Sequence, residues 1–116
     1  MTAVLADDRL DAMYAALADR TRRGIVARLA EGEATVNQLA APFDMSLQAV
    51  SQHIQVLERA GLISRTRRRQ TRPCRLDADA LRTATEWVDR QRELWEGRLD
   101  RFEQHLDDVQ RERKSR

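Results

Sequence analysis

The strongest constraint on the fold lies in the C-terminal third of the chain, where one amphipathic pattern is too long for a small domain. Side chains recur there at spacings of three and four residues, which places them on one face of an α-helix: Leu81, Ala84, Val88, Gln91, Trp95, Arg98, Phe102 and Leu106. Asp77 is a suitable N-cap for this helix. A helix over residues 78–109 would be roughly 48 Å long, whereas a folded chain of 116 residues has a radius of gyration of only about 13 Å.

The core of a domain of this size cannot bury the whole apolar part of this stripe, so another surface must bury the rest. Its large members include Trp87, Trp95 and Phe102. We expect it to be buried against a second copy of the chain, or against another protein. The alternative is a helical hairpin, broken near Gly97, that folds back on its own domain.

Four shorter helices are predicted in the first 60 residues. The spacing i, i+3, i+4, i+7 predicts an amphipathic helix over about residues 7–18, with an apolar face of Leu10, Met13, Tyr14 and Leu17. Asp19 caps a second helix that closes at Gly32, and Thr35 caps a short third one. Ser46 caps the fourth, which runs to about residue 60 and stops at Gly61.

Residues 62–76 show no helical period and are rich in Thr, Ile and Arg, which predicts two short strands around an Arg-rich turn. The whole chain is then a mainly α-helical single domain over residues 1–116. Its parts resemble a winged helix-turn-helix: a helix-turn-helix over residues 35–60, a two-stranded β-wing over 62–76, and terminal dimerisation helices over 7–18 and 78–109.

Positive charge is concentrated in one quarter of the sequence. The net charge of +2 hides a segment, residues 46–76, with seven arginines against Glu58 alone, a net of +6. The segments before and after it each carry a net of −2. Such asymmetry is typical of a protein with a polyanionic partner, although acidic lipid or an acidic protein would fit the charge equally well.

The fourth helix divides into two faces when its residues are projected at 100° each. Val50, Ile54 and Leu57 fall together and must face the core. The opposite face consists of uncharged polar and small side chains: Gln48, Gln52 and Gln55, flanked by Ala49 and Ser51. A merely solvated helix favours Glu and Lys there, whereas Gln, Ser and Ala match base edges in a major groove. We therefore expect this face to read double-stranded DNA, with an ordinary solvent-facing surface as the alternative.

Other candidate contacts surround this face. Ser46 caps the helix and places its N-terminus near a phosphate. His53 lies at the edge of the core face, where either a packing role or a DNA contact is possible. In the wing we expect phosphate or minor-groove contacts from four arginines: Arg67, Arg68, Arg69 and Arg72. Arg22 and Arg23 could contact the DNA backbone, or pair with nearby acids.

Residues 10–77 resemble the ArsR-type winged-helix repressors without a gap. The most specific part is S-x-x-A-V-S-x-H-(I/L)-x-x-L-E-x-A-G-L over residues 46–62. The resemblance implies sequence-specific DNA binding, repression by occupying a pseudo-palindromic operator, and a homodimer built on the first and last helices. The expected dimer contacts are Leu10, Met13, Tyr14, Leu17, Val88, Trp95, Phe102 and Leu106. Three positions depart from the family pattern, with Arg20 in place of a proline, Arg69 in place of the wing glycine and Cys74 in place of a tyrosine.

No metal, cofactor or catalytic chemistry is expected. Many relatives sense metals, which requires several converging soft or imidazole ligands, but the only candidates are His53, Cys74 and His105. Cys74 is expected to be a filler in the tyrosine's place; the alternative is an exposed Cys74 among arginines, which would favour its thiolate and allow a redox-responsive repressor. The sequence has no Ser/His/Asp set or glycine-rich phosphate loop, and it identifies no effector.

A cytoplasmic, bacterial regulator is the expected context. The single cysteine suits a reducing compartment, no apolar run of 18 residues is present, and the N-terminus lacks a secretion signal. The competing function is a winged-helix interaction module whose long last helix binds another protein and whose basic surface is incidental.

Overall fold

The computed structural model describes residues 8–67 and 71–115. The helices are α1 (Asp8–Leu17), α2 (Arg20–Leu29), α3 (Val36–Ala40), α4 (Leu47–Arg59) and α5 (Ala78–Ser115), and the strands are β1 (Ile63–Arg65) and β2 (Cys74–Leu76). The chain divides into two units, Met1–Ala84 and Thr85–Arg116, of which the first carries the helix-turn-helix and the wing.

The predicted caps are present. Asp19 accepts a hydrogen bond from the backbone N–H of Arg22 at 3.0 Å, and Ser46 Oγ accepts one from Ala49 at 3.0 Å. Thr35 forms a capping box with Gln38, in which each side chain accepts from the other's backbone N–H. These bonds satisfy donors that the first turn of a helix leaves without partners, which is why each helix begins where it does.

Helix α4 ends in a turn that only glycine adopts easily. Gly61 has φ = +79°, and its N–H donates to Glu58 O while Leu62 N–H donates to Leu57 O, both at 3.0 Å. This pair of bonds is a Schellman motif, whose apolar contact is made here by Leu57 and Leu62, both fully buried. The motif directs the chain from α4 into β1.

The core of the first unit draws one or more side chains from each of its elements. The largest fully buried side chains are Met13, Ile25, Leu39, Val50, Ile54, Leu57, Leu62 and Cys74. Met13 was expected in the dimer interface, but it has no exposed surface, so that expectation is wrong: the side chain packs α1 onto its own domain. Leu10, Tyr14 and Leu17 are partly buried against the same core, and the Tyr14 hydroxyl donates to Ala84 O.

The wing is an antiparallel hairpin in which Ile63 pairs with Leu76 and Arg65 with Cys74. A third segment joins it, which the sequence did not indicate. Cys74 N–H donates to Ala34 O at 2.7 Å, and Ala34 N–H donates to Cys74 O at 3.2 Å. Since Ala34 immediately precedes the cap of α3, this bridge ties the base of the wing to the start of the helix-turn-helix.

The second unit is helical from Thr85 to Ser115. The helix continues through Gly97, so the alternative of a hairpin broken there is wrong. Large apolar side chains along it are exposed to 43–60%: Trp87, Val88, Leu94, Trp95, Leu99, Phe102 and Leu106. No helix among the described residues has the length and apolarity needed to cross a membrane.

Candidate nucleic-acid interface

Helix α4 presents two faces of opposite character, as predicted. Its inner face consists of side chains with no exposed surface: Val50, Ile54 and Leu57. Its outer face consists of exposed amides: Gln48, Gln52 and Gln55. Ala49 and Ser51 lie partly buried on the two flanks. Because the inner face is anchored in the core, the amides are held on a rigid element and point away from the rest of the first unit.

The structure adds Arg59 to this outer face. It is exposed in the last turn of α4, and the projection at 100° per residue places it between Gln48 and Gln52. The same projection would have found it from the sequence. Its positive charge extends the amide row at the end of the helix.

Two exposed apolar side chains at the start of α4 were also missed. Met45 is 36% and Leu47 is 51% exposed. The helical projection places Leu47 on the same side as the buried Ile54 and therefore wrongly suggests that Leu47 is buried. Leu47 is the first residue of the helix and lies beyond the reach of the core, so its periodicity does not translate into burial.

His53 contacts its own chain. Its Nδ1 lies 3.2 Å from Arg22 Nη1 and 3.9 Å from Asp19 Oδ2. Arginine has only donors, so Nδ1 is the acceptor in the Arg22 contact. The hydrogen bond from the Arg22 backbone N–H lowers the pKa of Asp19, and the charge of Arg22 acts in the same direction. These contacts support the packing role of His53 and join α4 to the start of α2.

Arg22 and Arg23 contact the end of helix α1, a partner that the sequence did not indicate. Arg22 Nε donates to Ala16 O at 2.7 Å and its Nη2 to Ala15 O at 3.1 Å. Arg23 Nη1 donates to Leu17 O at 2.9 Å. The acceptors are carbonyls in the last turn of α1, which have no partner within that helix. The two arginines therefore cap the C-terminus of α1.

The wing arginines divide by exposure. Arg67 and Arg72 are exposed, as their predicted role requires, whereas Arg68 and Arg69 lie outside the described residues. Arg65 is turned inward: its side chain is 16% exposed and its Nε lies 3.9 Å from Glu58 Oε1. Arg65 therefore adds little to the positive charge that the wing presents.

Cys74 is fully buried at the base of the wing. Burial raises the pKa of its thiol, and the positive charge of Arg65 opposes that effect without overcoming it. The alternative of an exposed, reactive thiolate is thus wrong, because the bridge to Ala34 holds Cys74 in the core. The residue fills the position that the resemblance assigns to a tyrosine.

Within residues 8–67 and 71–115 no three His, Cys, Asp or Glu side chains are grouped so that they could hold a metal ion. On α4 and the wing, the polar groups presented outward include amides and arginines. These groups suit hydrogen bonding to base edges and contact with phosphates.

Known proteins share this arrangement. A family described as "Helix-turn-helix domain" matches residues 17–66. The HTH-type transcriptional regulator Rv2034 of Mycobacterium tuberculosis is 38% identical over 97 residues, which cover 84% of this chain and 88% of the relative. The transcriptional repressor SdpR of Bacillus subtilis is 30% identical over 76 residues, which cover 66% of this chain and 84% of the relative.

Solved structures agree with these relatives. The ArsR family transcriptional regulator RHA00566 is 39% identical with a TM-score of 0.72, over 77% of this chain and 98% of that one. The homodimeric winged helix-turn-helix DNA-binding domain of Mb0332 from Mycobacterium bovis is 29% identical with a TM-score of 0.63, over 80% and 87%. The chain therefore belongs to the ArsR-type family of winged helix-turn-helix transcriptional regulators.

Proposed function

We propose that this protein is a homodimeric repressor that occupies a pseudo-palindromic operator, with α4 of each subunit in the major groove. The observation that carries the proposal is the outer face of α4, a row of exposed amides held by a fully buried opposite face. Gln can bond bidentately to adenine N6 and N7. We assign base contacts to Gln48, Ser51, Gln52 and Gln55, and contacts to thymine methyl groups to Ala49 and Leu47.

Affinity, as distinct from sequence preference, comes from the arginines around this face. Arg59 at the end of α4 and Arg67 and Arg72 in the wing are exposed and within the segment of net charge +6. Ser46, as the N-cap of α4, brings the helix N-terminus to a phosphate. Arg68 and Arg69 complete the proposed wing contacts, as the sequence suggests. His53 takes no direct part in this proposal, because its Nδ1 already accepts from Arg22 Nη1.

The homodimer rests on the exposed apolar side chains of the second unit and on the homodimeric relative Mb0332. Val88, Trp95, Phe102 and Leu106 are the contacts we assign there. The surfaces of Leu10, Tyr14 and Leu17 of α1 that remain accessible also contribute to the proposed dimer contact. A dimer of this kind reads two DNA half-sites about one helical turn apart. The proposed repressor role is supported by the similarity to the transcriptional repressor SdpR.

Fluorescence anisotropy with two labelled duplexes tests the proposal. One carries the region upstream of the protein's own coding sequence, and the other a random sequence of equal length. At about 0.15 M salt we expect at least a thousandfold preference for the first. Equal affinity for both duplexes would refute autorepression, in which the protein represses its own gene by binding upstream of it.

Two matched variants separate base reading from phosphate contact. Gln52→Ala should cost roughly 1–3 kcal/mol for each of the two half-sites on the preferred duplex and nothing on the random one. Arg67→Ala should weaken both duplexes alike and reduce the slope of log K against log salt by about 2, since each subunit of the dimer loses one phosphate contact. A salt-independent, weak interaction with both duplexes would instead favour the protein-interaction module.

A further inference from the structure

One face of the wing passes from the core to solvent over three alternate residues. The hairpin register continues just past β1, because Thr66 N–H donates to Pro73 O at 3.2 Å. Alternate side chains of a strand share a face, so Ile63, Arg65 and Arg67 lie on one side. Ile63 is buried, the side chain of Arg65 is 16% exposed, and Arg67 is exposed. Arg65 therefore lies directly behind a proposed phosphate contact, about 7 Å away along the strand.

The guanidinium of Arg65 has charged and apolar neighbours but few hydrogen bonds. Its Nε lies 3.9 Å from Oε1 of Glu58, in the last turn of α4, and the strand register sets Arg65 opposite the fully buried Cys74. Nε and Nη2 are buried and hydrogen-bond to none of the described residues. A distance of 3.9 Å is too long for a hydrogen bond. Glu58 thus offsets the charge of Arg65 without satisfying these two donors.

Glu58 is the only acidic residue in the basic segment, residues 46–76. Its side chain is 38% exposed, so it can be hydrated without Arg65. Arg65 depends more strongly on the pair, because a buried charge without a partner is costly. Loss of the carboxylate charge would therefore favour a rotamer in which the long Arg65 side chain extends along the wing into solvent, toward Arg67.

We propose that Glu58 is a positioning residue that keeps Arg65 from contacting DNA phosphates, and so determines how many arginines the wing offers to the DNA backbone. The inference rests on the proposed DNA binding and adds a control on its strength. Phosphate contacts strengthen binding to every sequence, whereas base contacts favour the operator. The pair therefore limits affinity for all DNA and leaves the preference of α4 unchanged.

Fluorescence anisotropy at several salt concentrations, with the upstream and random duplexes, tests this role. Glu58→Gln removes the charge and keeps the size of the side chain. We expect the slope of log K against log salt to steepen by about 2, since each subunit of the proposed dimer gains one phosphate contact. At about 0.15 M salt the affinity for both duplexes should rise by roughly five- to thirtyfold, because one contact contributes about fivefold at that concentration. An unchanged slope would overturn the proposal.

A double-mutant cycle separates the release of Arg65 from the loss of repulsion between Glu58 and the phosphates. Arg65→Met keeps an unbranched apolar stem without a charge, and alone it should leave the slope unchanged, in contrast to Arg67→Ala. In the Arg65→Met background, Glu58→Gln should steepen the slope by less than half as much as it does in the unmodified protein. An effect of half or more would mean that Glu58 acts on DNA directly, and would overturn the role of Arg65.

The exposure of Arg65 can also be measured without DNA. Phenylglyoxal modifies accessible guanidinium groups, and mass spectrometry of the resulting peptides locates the product. In the unmodified protein Arg65 should react several times more slowly than Arg67, and in Glu58→Gln the two rates should be similar. Equal rates in the unmodified protein would contradict the burial of Arg65, and a slow reaction in the variant would contradict its release.

Two further measurements keep the outcomes distinct. Thermal unfolding followed by circular dichroism verifies that each variant is folded at the assay temperature. Glu58→Ala removes the same charge and should give the same slope as Glu58→Gln, so the test does not depend on one variant. If the unmodified protein prefers the upstream duplex but neither Glu58 variant changes the slope, this inference alone fails. If the unmodified protein binds neither duplex, the proposed function fails and the inference fails with it.

Discussion

Replacing Arg22 with alanine should destabilise the reading unit. Its guanidinium makes three contacts: to Ala16 O at 2.7 Å, to Ala15 O at 3.1 Å and to His53 Nδ1 at 3.2 Å. Hydrogen bonds from a charged donor contribute about 1.5–3 kcal/mol each when buried and less when exposed. The contacts to Ala16 and His53 are part-buried and the one to Ala15 is exposed.

The loss in Arg22→Ala is therefore about 2–4 kcal/mol, which corresponds to a fall in Tm of roughly 10–20 °C for a domain of this size. Thermal unfolding followed by circular dichroism at 222 nm measures it. Arg23→Ala is the matched control: it removes the same charge one residue away but only one exposed hydrogen bond, to Leu17 O. We expect it to lower Tm by less than about 5 °C.

An unchanged Tm in Arg22→Ala, together with weaker DNA binding, would refute this reasoning. If Arg22 contacted a DNA phosphate, Arg22→Ala would leave Tm unchanged and would lower both the affinity for DNA and its salt dependence. Equal Tm values for the Arg22 and Arg23 variants would also contradict the assigned capping role, because the two side chains differ in the number and burial of their contacts.

Three further predictions concern the helices and the thiol. Leu47→Ala should leave Tm unchanged but weaken operator binding in anisotropy, whereas Leu57→Ala, in the core, should cost about 2–5 kcal/mol in urea unfolding. Thr35→Ala removes half of the capping box and should cost about 1 kcal/mol by the same measurement. The raised pKa of Cys74 makes the free energy of unfolding fall as the pH rises above the ordinary thiol value of 9.0, because the unfolded chain deprotonates first. Cys74→Ala should lack this part of the slope, and in the native protein the thiol should react slowly with Ellman's reagent.

Local signals in the sequence predicted most of the fold. The ends of the helices depend on residues within a few positions of one another, so they can be recognised without the tertiary structure. Examples are the N-caps Asp19, Thr35 and Ser46 and the C-terminal Gly61. The buried face of α4 follows from its helical period for the same reason. The terminal helix continues to Ser115, beyond the expected end at residue 109. The sequence did not indicate these last turns, because they are polar and carry no apolar period.

Contacts between distant segments could not be predicted in this way. The bridge between Ala34 and Cys74 joins residues 40 positions apart and holds the thiol in the core. Arg22 meets carbonyls of α1 and the ring of His53 because α1, α2 and α4 converge, which no spacing rule indicates. Met13 has the same amphipathic period as its partly buried neighbours Leu10, Tyr14 and Leu17, and only the packing of α1 distinguishes it.

These contacts change what the arginine-rich composition means. The sequence places seven arginines in residues 46–76, but Arg65 is turned toward Glu58 and partly buried. Outside that segment Arg22 and Arg23 donate hydrogen bonds to carbonyls at the end of α1. Among the described residues of segment 46–76, the charge that remains exposed lies on the last turn of α4 and on the wing. The uncharged amide row suits discrimination between bases, which requires hydrogen-bond geometry, and the exposed arginines suit contact with phosphates of the DNA backbone.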